Sequence, residues 1–208
     1  NLAAESIKAL YNNENILIIG TEGNGLWQYS TTAKAPEEIR GHPDLVNTVV
    51  HKIYRDQSGC LWIGTLGDGV FKVDENNQWI HQSVANNADS LSNNRILSLF
   101  QDRTGIFWIG TEGAGLNYYD PYSLLIRNIR QGNNNQENLN NKMVYAITSD
   151  TNDNWWFGTE SGGVNHWNSV KKQFNYYNVE SGHLHHNTVR ALLETDLGIF
   201  VATLNGFS

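Results

Sequence analysis

A ten-residue segment recurs along this chain at a nearly constant interval. Its most complete copy is FWIGTEGAGL at 107–116, and the others are LIIGTEGNGL at 17–26, LWIGTLGDGV at 61–70, WWFGTESGGV at 155–164 and the degenerate IFVATLNGFS at 199–208. The residues at the centre of each copy, Gly20, Gly64, Gly110, Gly158 and Ala202, are separated by 44, 46, 48 and 44 positions. A period of this size indicates a β-propeller or a solenoid.

The sequence around each copy predicts four strands per unit. A β-rich segment such as ILSLFQD (96–102) forms strand A and ends in a tight DxxG-type turn, in which the Asp bonds its own backbone. The repeated segment is strand B, the segment after GxG is strand C, and a less regular strand D lies outermost. Four antiparallel strands in about 45 residues, with no helical stretch, are typical of a propeller blade.

We therefore expect an all-β protein: a β-propeller fragment of about four and a half four-stranded antiparallel blades in one partial domain, 1–208. The approximate units are 1–44, 45–90, 91–138, 139–183 and an incomplete 184–208. The fifth unit departs from the others, because its turn after strand A is shorter and Phe200 and Ala202 replace Trp and Gly.

Two sets of repeated residues are predicted to hold the blades. The first is the set of central glycines, Gly20, Gly64, Gly110 and Gly158. The second is Trp62, Trp108 and Trp156 on strand B, which align with Ile18 and Phe200. A large ring at this position buries enough area to act as a wedge between neighbouring sheets.

The GxG that follows strand B has two interpretations. A phosphate-cradling loop requires GxGxxG followed by a helix, whereas here the following segments, such as LNYYD (116–120), are strands in every copy. The glycines are therefore predicted to form hairpin turns, and no nucleotide or other cofactor is expected.

Composition excludes several functions. The formal net charge of −7 and the lack of a Lys/Arg run argue against a nucleic-acid surface. The single Cys60 excludes a disulfide framework and leaves the redox compartment open. No apolar run reaches the ~18 residues of a membrane span, and the first residues do not form a signal peptide, so this segment is not expected to contact a membrane itself.

The recurring signature LxxNxV, a strand ending in DxxG, and LWIGTxGxGLxxYD resembles the two-component regulator propeller repeat. Its closest copy is DRTGIFWIGTEGAGLNYYDP at 102–121. The resemblance implies the periplasmic or extracellular sensor region of an inner-membrane protein, such as a hybrid histidine kinase or a diguanylate cyclase. It also implies further blades and an immunoglobulin-like coupling domain as partners, and in many members the sensing of oligosaccharides.

Repeated carboxylates could suggest catalysis or cation binding. Glu22, Glu112 and Glu160 share one position in three units, but acid–base catalysis needs two carboxylates in unlike environments. We expect these side chains to accept bonds from neighbouring loop backbone N–H groups. No catalytic residue is predicted.

One local histidine cluster could suggest a metal site. His183, His185 and His186 lie in a predicted loop with no Cys and with only Glu180 as a nearby acid. Solvated loop histidines are the simpler interpretation, and no metal is expected.

The best ligand candidates are residues that break the repeat on one face. In a propeller the B–C turns and the D–A loops emerge on the same side, around one mouth of the central channel. The non-repeating side chains expected there are Asp68, Asn94, Arg95, Lys142, Tyr145, His185, His186 and Arg190. Their amides, cations and Tyr ring suit a polar solute or a sugar.

Three functions are open on this basis. The first is a non-enzymatic sensor propeller that binds a polar small molecule or an oligosaccharide. The second is a scaffold for protein–protein interaction or dimerisation without a small ligand. The third, a propeller lyase or glycosidase, would require unlike carboxylates, or a His with a carboxylate, converging at the channel. An incomplete ring would also expose aromatic blade faces, which predicts self-association.

Overall fold

A computed structural model of the 208-residue chain describes residues 6–13, 15–30, 32, 34–85, 90–121, 125–129, 131–132 and 138–208. Within them, 19 strands form five antiparallel sheets, four of four strands and one of three. In every sheet the strands pair in chain order. No helix in these parts of the chain is long and apolar enough to cross a membrane.

The sheets follow one another along the chain. The first contains β1 (Ile7–Asn13), β2 (Ile16–Thr21), β3 (Leu26–Ser30) and β4 (Pro36–Glu38). The second contains β5 (Val50–Arg55), β6 (Leu61–Thr65), β7 (Val70–Val73) and β8 (Trp79–Gln82). The third contains β9 (Ile96–Gln101), β10 (Phe107–Thr111), β11 (Leu116–Asp120) and β12 (Leu125–Ile129).

The fourth sheet contains β13 (Val144–Ser149), β14 (Trp155–Thr159), β15 (Val164–Asn168) and β16 (Gln173–Tyr177). The fifth contains β17 (Val189–Thr195), β18 (Gly198–Thr203) and the short β19 (Gly206–Phe207). The first strands of successive sheets contact one another in the order β1, β5, β9, β13 and β17. This is the arrangement of propeller blades around a central axis, and it confirms the predicted β-propeller fragment.

A short turn precedes the second blade. Among the described residues, a single 3-10 turn lies at Pro43–Leu45, before β5. Pro43 favours such a turn because its fixed φ suits the first helical position, and His42 caps the turn by accepting a hydrogen bond from the Asp44 N–H. Leu45 anchors the turn in the core.

The turn after strand A is closed by an Asp that also holds the Trp of strand B. In the third blade, Asp102 Oδ1 accepts hydrogen bonds from the backbone N–H groups of Thr104 and Ile106 and from the Thr104 hydroxyl. Its other oxygen accepts from Trp108 Nε1 at 2.9 Å. Asp56 with Trp62 and Asp150 with Trp156 repeat this arrangement, at 2.7 and 3.0 Å. We call it the Asp–Trp clasp.

The Trp rings then pack at the seams between blades. The Trp62 ring stacks on Phe107 of the third blade with centroids 4.0 Å apart, and Trp108 lies 4.3 Å from Trp155 of the fourth. Trp156 packs against the cluster that contains Val189 and Val201 of the fifth blade. The predicted wedges therefore lie between neighbouring sheets, as expected.

The central glycines allow the inner strand of the next blade to approach closely. A Cβ at Gly20 would lie 2.5 Å from Val50, one at Gly64 2.8 Å from Ile96, and one at Gly158 2.5 Å from Val189. At Gly110 it would lie 2.7 Å from the Val144 carbonyl oxygen. A side chain at these positions would push neighbouring blades apart.

The GxG turns are hairpins that also join neighbouring blades. The Thr that ends strand B donates its buried hydroxyl to the carbonyl of the second turn glycine, as Thr111 does to Gly115 at 2.8 Å. The N–H of that glycine donates to the loop before the next blade, as Gly115 does to Lys142 O at 2.8 Å. The B–C turns and the D–A loops therefore share one face, as predicted.

The fifth sheet lacks both the Asp of the Asp–Trp clasp and the Trp of strand B. Thr195 occupies the position of the clasp Asp, only Asp196 and Leu197 lie between β17 and β18, and Phe200 replaces the Trp. The Phe200 ring is 45% exposed and its cross-strand neighbour Leu193 is 63% exposed, because no sheet in the described chain packs on them. The first sheet also leaves Leu10 exposed.

These exposed faces predict self-association of the chain. Sedimentation equilibrium should show concentration-dependent oligomers. The double variant Leu193→Glu/Phe200→Glu should raise the dissociation constant of the oligomer at least tenfold, because burying unpaired carboxylates is unfavourable. Val170→Glu is the control, since Val170 lies on an exposed turn between β15 and β16. A monomeric native chain at high concentration would contradict the expectation.

Candidate functional site at the channel mouth

The inner strands share a β-bulge near their N-terminal ends. In each of the five blades the register skips one residue of the inner strand, and the skipped residues are Lys8, His51, Leu97, Tyr145 and Arg190. A bulge re-aims a side chain out of the sheet. Since the inner strands surround the central axis, these residues lie around one mouth of the channel; we call them the bulge ring.

The residue after strand B lies beside the bulge ring. In every blade its N–H donates to the residue just before the inner strand, as Glu112 does to Arg95 O at 2.9 Å. Glu22, Glu112 and Glu160 occupy this position in three blades. The repeated glutamates and the ring therefore form one surface.

Each glutamate pairs with a side chain at the start of the inner strand of its own blade. Lys8 Nζ lies 3.1 Å from Glu22 Oε2, and the Tyr145 hydroxyl donates to Glu160 Oε1 at 3.1 Å. Glu112 forms an ion pair with Arg95. The expectation that these carboxylates accept loop backbone N–H groups was wrong, because side-chain donors at the bulge lie within reach and two of them carry the opposite charge.

Arg95 and Arg190 each connect two blades. Arg95 binds Glu112 of its own blade through Nε and donates from Nη1 to the Leu66 carbonyl of the preceding blade at 3.2 Å. The Arg190 guanidinium of the fifth blade lies 4.4 Å above the Tyr145 ring of the fourth. Arg95 and Arg190 are both exposed, so a molecule at the mouth can reach them.

His51 supplies an unpaired polar atom to the ring. Its Nδ1 is buried and has no hydrogen-bond partner among the residues that the structure describes. Burial lowers the pKa of His51, and the neighbouring cations Lys52, Lys8 and Arg95 lower it further, so the imidazole is neutral at neutral pH.

Two further polar groups at the mouth, Glu22 and Tyr145, have pKa values shifted by their surroundings. Hydrogen bonding from Lys8 and Ser6 lowers the pKa of Glu22, so this carboxylate is ionised. Burial, followed by the Glu160 carboxylate, raises the pKa of Tyr145, so its phenol keeps its proton. Glu22, Glu112 and Glu160 lie at this mouth together with cations that include Lys8, Arg95, Arg190 and, beside His51, Lys52. The mouth is therefore polar and carries charges of both signs.

The structure brings three of the eight sequence-predicted ligand residues to this mouth: Arg95, Tyr145 and Arg190. Lys142 lies on the same face, where it lines a depression of about 360 Å³ with Ser92, Gly113, Ala114 and Gln131. Parts of the neighbouring Asn-rich loops, residues 86–89 and 133–137, lie outside the described residues.

The other four predicted ligand residues bind the protein's own loops. Asp68 accepts from the Thr48 hydroxyl at 2.9 Å, and Asn94 Oδ1 accepts from the Val84 N–H at 2.7 Å. His186 Nδ1 accepts a hydrogen bond from the Thr188 N–H, two residues later. Asn93 and Asn141 likewise accept from the N–H of the residue two positions after them. His185 contacts Phe207 and Ser208 near the end of the chain.

Sequence reasoning missed Lys8 and His51 in the ring. Neither residue type is repeated at its position, and a bulge leaves no mark in the alternation of a short strand. Each residue of the bulge ring lies 12 or 13 positions before the central Gly or Ala of its repeat. That nearly constant spacing was the available signal.

Two apolar grooves at the blade seams are a weaker alternative. One of about 240 Å³ is lined by Trp62, Tyr119 and Ile126, with the Lys72 ammonium 4.9 Å from the Trp62 ring centroid. The other, of about 210 Å³, is lined by Trp108 and Trp167 among others. Trp62 and Trp108 are buried by their neighbours, so their ring faces are not available to a sugar.

The sheets, their seams and the bulge ring define the class of protein: a β-propeller fragment with a polar channel mouth. Comparison with known sequences then matches residues 44–67 and 90–113 to the two component regulator propeller. These two segments, in the second and third blades, therefore match the repeat that the sequence resembles. No curated protein sequence matches the chain.

Solved structures share the fold. The extracellular domain assigned to a hybrid two component system from B. thetaiotaomicron is similar with a TM-score of 0.77 and 19% identity, over 98% of this chain and 27% of that one. An extracellular domain from the same organism, assigned to a one component system, has a TM-score of 0.61 and 18% identity, over 97% of this chain and 32% of that one. A virginiamycin B lyase from Staphylococcus aureus has a TM-score of 0.66 and 12% identity, over 100% of this chain and 71% of the lyase.

This chain spans about a third or less of the length of the first two relatives. At these identities the likeness concerns the fold. The lyase therefore lends no catalytic residue to this chain.

Proposed function

We propose that this chain is part of the sensor propeller of a membrane-bound two-component signalling protein of the hybrid histidine kinase type. In this proposal the propeller lies outside the cytoplasmic membrane and is not itself an enzyme. It binds a polar solute such as an oligosaccharide at the bulge ring and passes the signal to a kinase elsewhere in the parent protein. The propeller repeats and the extracellular two-component domains of similar fold support this assignment.

The observation that carries the proposal is the bulge ring itself. The ring and the residues beside it offer donors on Arg95 and Arg190, acceptors on Glu112 and Glu160, and an aromatic ring on Tyr145, all at one mouth of the channel. Sugars need alternating donors and acceptors for their hydroxyls and an apolar face for their rings. Placing these groups on a scaffold that does not have to reorganise reduces the entropic cost of binding.

Calorimetric titration of the chain with neutral, acidic and basic oligosaccharides tests the proposal. We expect at least one neutral oligosaccharide to bind, and Arg190→Ala to weaken that binding at least tenfold, a loss of about 1.4 kcal/mol. Arg40→Ala is the matched control, because Arg40 is an exposed arginine after β4 that pairs with Glu38. Flat traces throughout, or equal binding to the Arg190→Ala variant, would contradict the proposal.

A scaffold for protein contacts is the second candidate. It is favoured by the exposed apolar side chains of the first and fifth sheets, among them Leu10, Leu193 and Phe200. In the scaffold role, a second protein or a second copy would cover the channel mouth and leave no site for a solute. Solvent accessibility of Arg190 in the associated form distinguishes the two functions, since a sensor keeps this residue exposed.

A further inference from the structure

A second cluster of ligating side chains lies away from the bulge ring. It joins His42 and Asp44, at the 3-10 turn before the second blade, to His81 on β8, the outermost strand of that blade. Asp44 Oδ2 lies 3.6 Å from His42 Nδ1 and 3.5 Å from His81 Nδ1. All three ligand atoms lie within 4.8 Å of one another.

The second ring nitrogen of His81 fixes its tautomer. Nε2 lies 2.6 Å from the Asp68 carbonyl oxygen, which can only accept a hydrogen bond. Nε2 therefore carries the proton, and in the neutral ring Nδ1 keeps its lone pair. A histidine held by a backbone carbonyl in this way is the usual outer support of a metal ligand.

Packing fixes the direction of both imidazoles. The His81 ring stacks on Phe71 with centroids 4.1 Å apart and an interplanar angle of 9°, and Phe71 is fully buried. His42 meets the same Phe71 ring edge-on at 5.0 Å. The two ligand candidates are thus oriented by one core residue before any ion binds.

His42 Nδ1 also carries a lone pair. It accepts a weak hydrogen bond from the Asp44 N–H at 3.3 Å, so its proton is on Nε2 in the neutral ring. Two imidazole lone pairs and one carboxylate therefore converge, and within the described parts of the chain this weak donor is the only one between them. Such a group repels itself unless a cation lies between its members.

The spacing suits a small divalent transition metal. Two ligands about 2.1 Å from a tetrahedral ion lie roughly 3.4 Å apart, close to the two His–Asp separations. Two nitrogens and one carboxylate favour Zn²⁺ over Ca²⁺ or Mg²⁺, which prefer oxygen ligands. We propose that His42, Asp44 and His81 bind a Zn²⁺-like ion that ties the loop before the second blade to the outer strand of that blade.

No metal was expected from the sequence, in which the histidine candidate was the group His183, His185 and His186. The new cluster was missed because His42 and His81 are 39 residues apart, and only the pairing of β8 with β7 brings His81 to the turn. No short spacing motif could have indicated it.

Titration of the purified chain with Zn²⁺, followed by calorimetry, and with Co²⁺, followed by its visible absorption, tests the proposal. We expect one ion per chain and the intense absorption bands of tetrahedral Co²⁺. His81→Gln and Asp44→Asn should each weaken binding at least 100-fold.

Control variants in the histidine loop show whether the ion binds at this cluster. His183→Gln and His185→Gln should leave affinity unchanged, and loss of binding in either would assign the ion to that loop and overturn the proposal. Asp44 is 57% exposed, so Asp44→Asn keeps the fold even if His81→Gln does not. Absence of one-to-one binding in the native chain would mean that the cluster is only a proton-linked His–Asp contact, which also overturns the proposal.

Discussion

Replacing Asp102 by Ala will lower the free energy of unfolding by about 3–5 kcal/mol. The carboxylate is only 2% exposed and accepts four hydrogen bonds, from the Thr104 N–H, the Thr104 hydroxyl, the Ile106 N–H and Trp108 Nε1. Ala leaves these donors without their acceptor and leaves a void beside the Trp ring. Thermal unfolding should shift by about 10 °C or more in a protein of this size.

Two further variants make this test specific. Asp102→Asn should lower the free energy of unfolding by less than Asp102→Ala does. The amide oxygen still accepts hydrogen bonds from the turn, whereas the amide nitrogen faces the Trp108 N–H and cannot accept from it. Asp196→Ala is the matched control, since Asp196 is exposed in the equivalent turn of the fifth blade and should change stability by less than about 0.5 kcal/mol. Equal effects of Asp102→Ala and Asp196→Ala would show that the clasp does not stabilise the blade.

Replacing Gly110 by Ala will lower the free energy of unfolding by about 2–3 kcal/mol. A Cβ there would collide with Ser98 Oγ and would lie 2.7 Å from the Val144 carbonyl oxygen. The Ser98 side chain can rotate, but the Val144 carbonyl is backbone on the inner strand of the next blade. The seam between the third and fourth blades must therefore open.

Gly67 provides a control from the same repeat. A Cβ at Gly67 meets nothing within 4 Å. The free energy of unfolding of Gly67→Ala, measured by chemical denaturation, should therefore lie within about 0.5 kcal/mol of that of the native chain. A Gly110→Ala variant as stable as Gly67→Ala would mean that close approach of the blades is not required.

The blades could be predicted from sequence because the same residue types recur at the same positions, Gly in four units and Trp and Asp in three. Gly at the centre of strand B, Trp two places before it and Asp before the turn each recur, as at Asp102, Trp108 and Gly110. The Asp was correctly predicted to bond its own turn. Its second bond to the Trp was not predicted, because a six-residue spacing across a turn does not show which side chains face each other.

The candidate site could be predicted only in part, because it depends on non-repeating residues at irregular backbone. Arg95 was placed correctly from the position of its loop. Glu112 was assigned to the wrong partner, since a β-bulge and the side-chain reach of Arg95 decide that pairing. His186 and Asn94 were predicted to meet a ligand but bind their own loops, because Asn and His before a strand satisfy backbone N–H groups equally well.

Hydrogen exchange of the chain, alone and with the oligosaccharide that gives the strongest calorimetric signal, shows where that ligand binds. A ligand at the bulge ring should slow exchange of the amides that begin the inner strands, at 49–51, 95–98, 143–145 and 188–190, and leave the outer strands β8 and β16 unchanged. Protection confined to the outer strands or to the blade-seam grooves, with the inner-strand amides unaffected, would contradict a ligand site at the bulge ring.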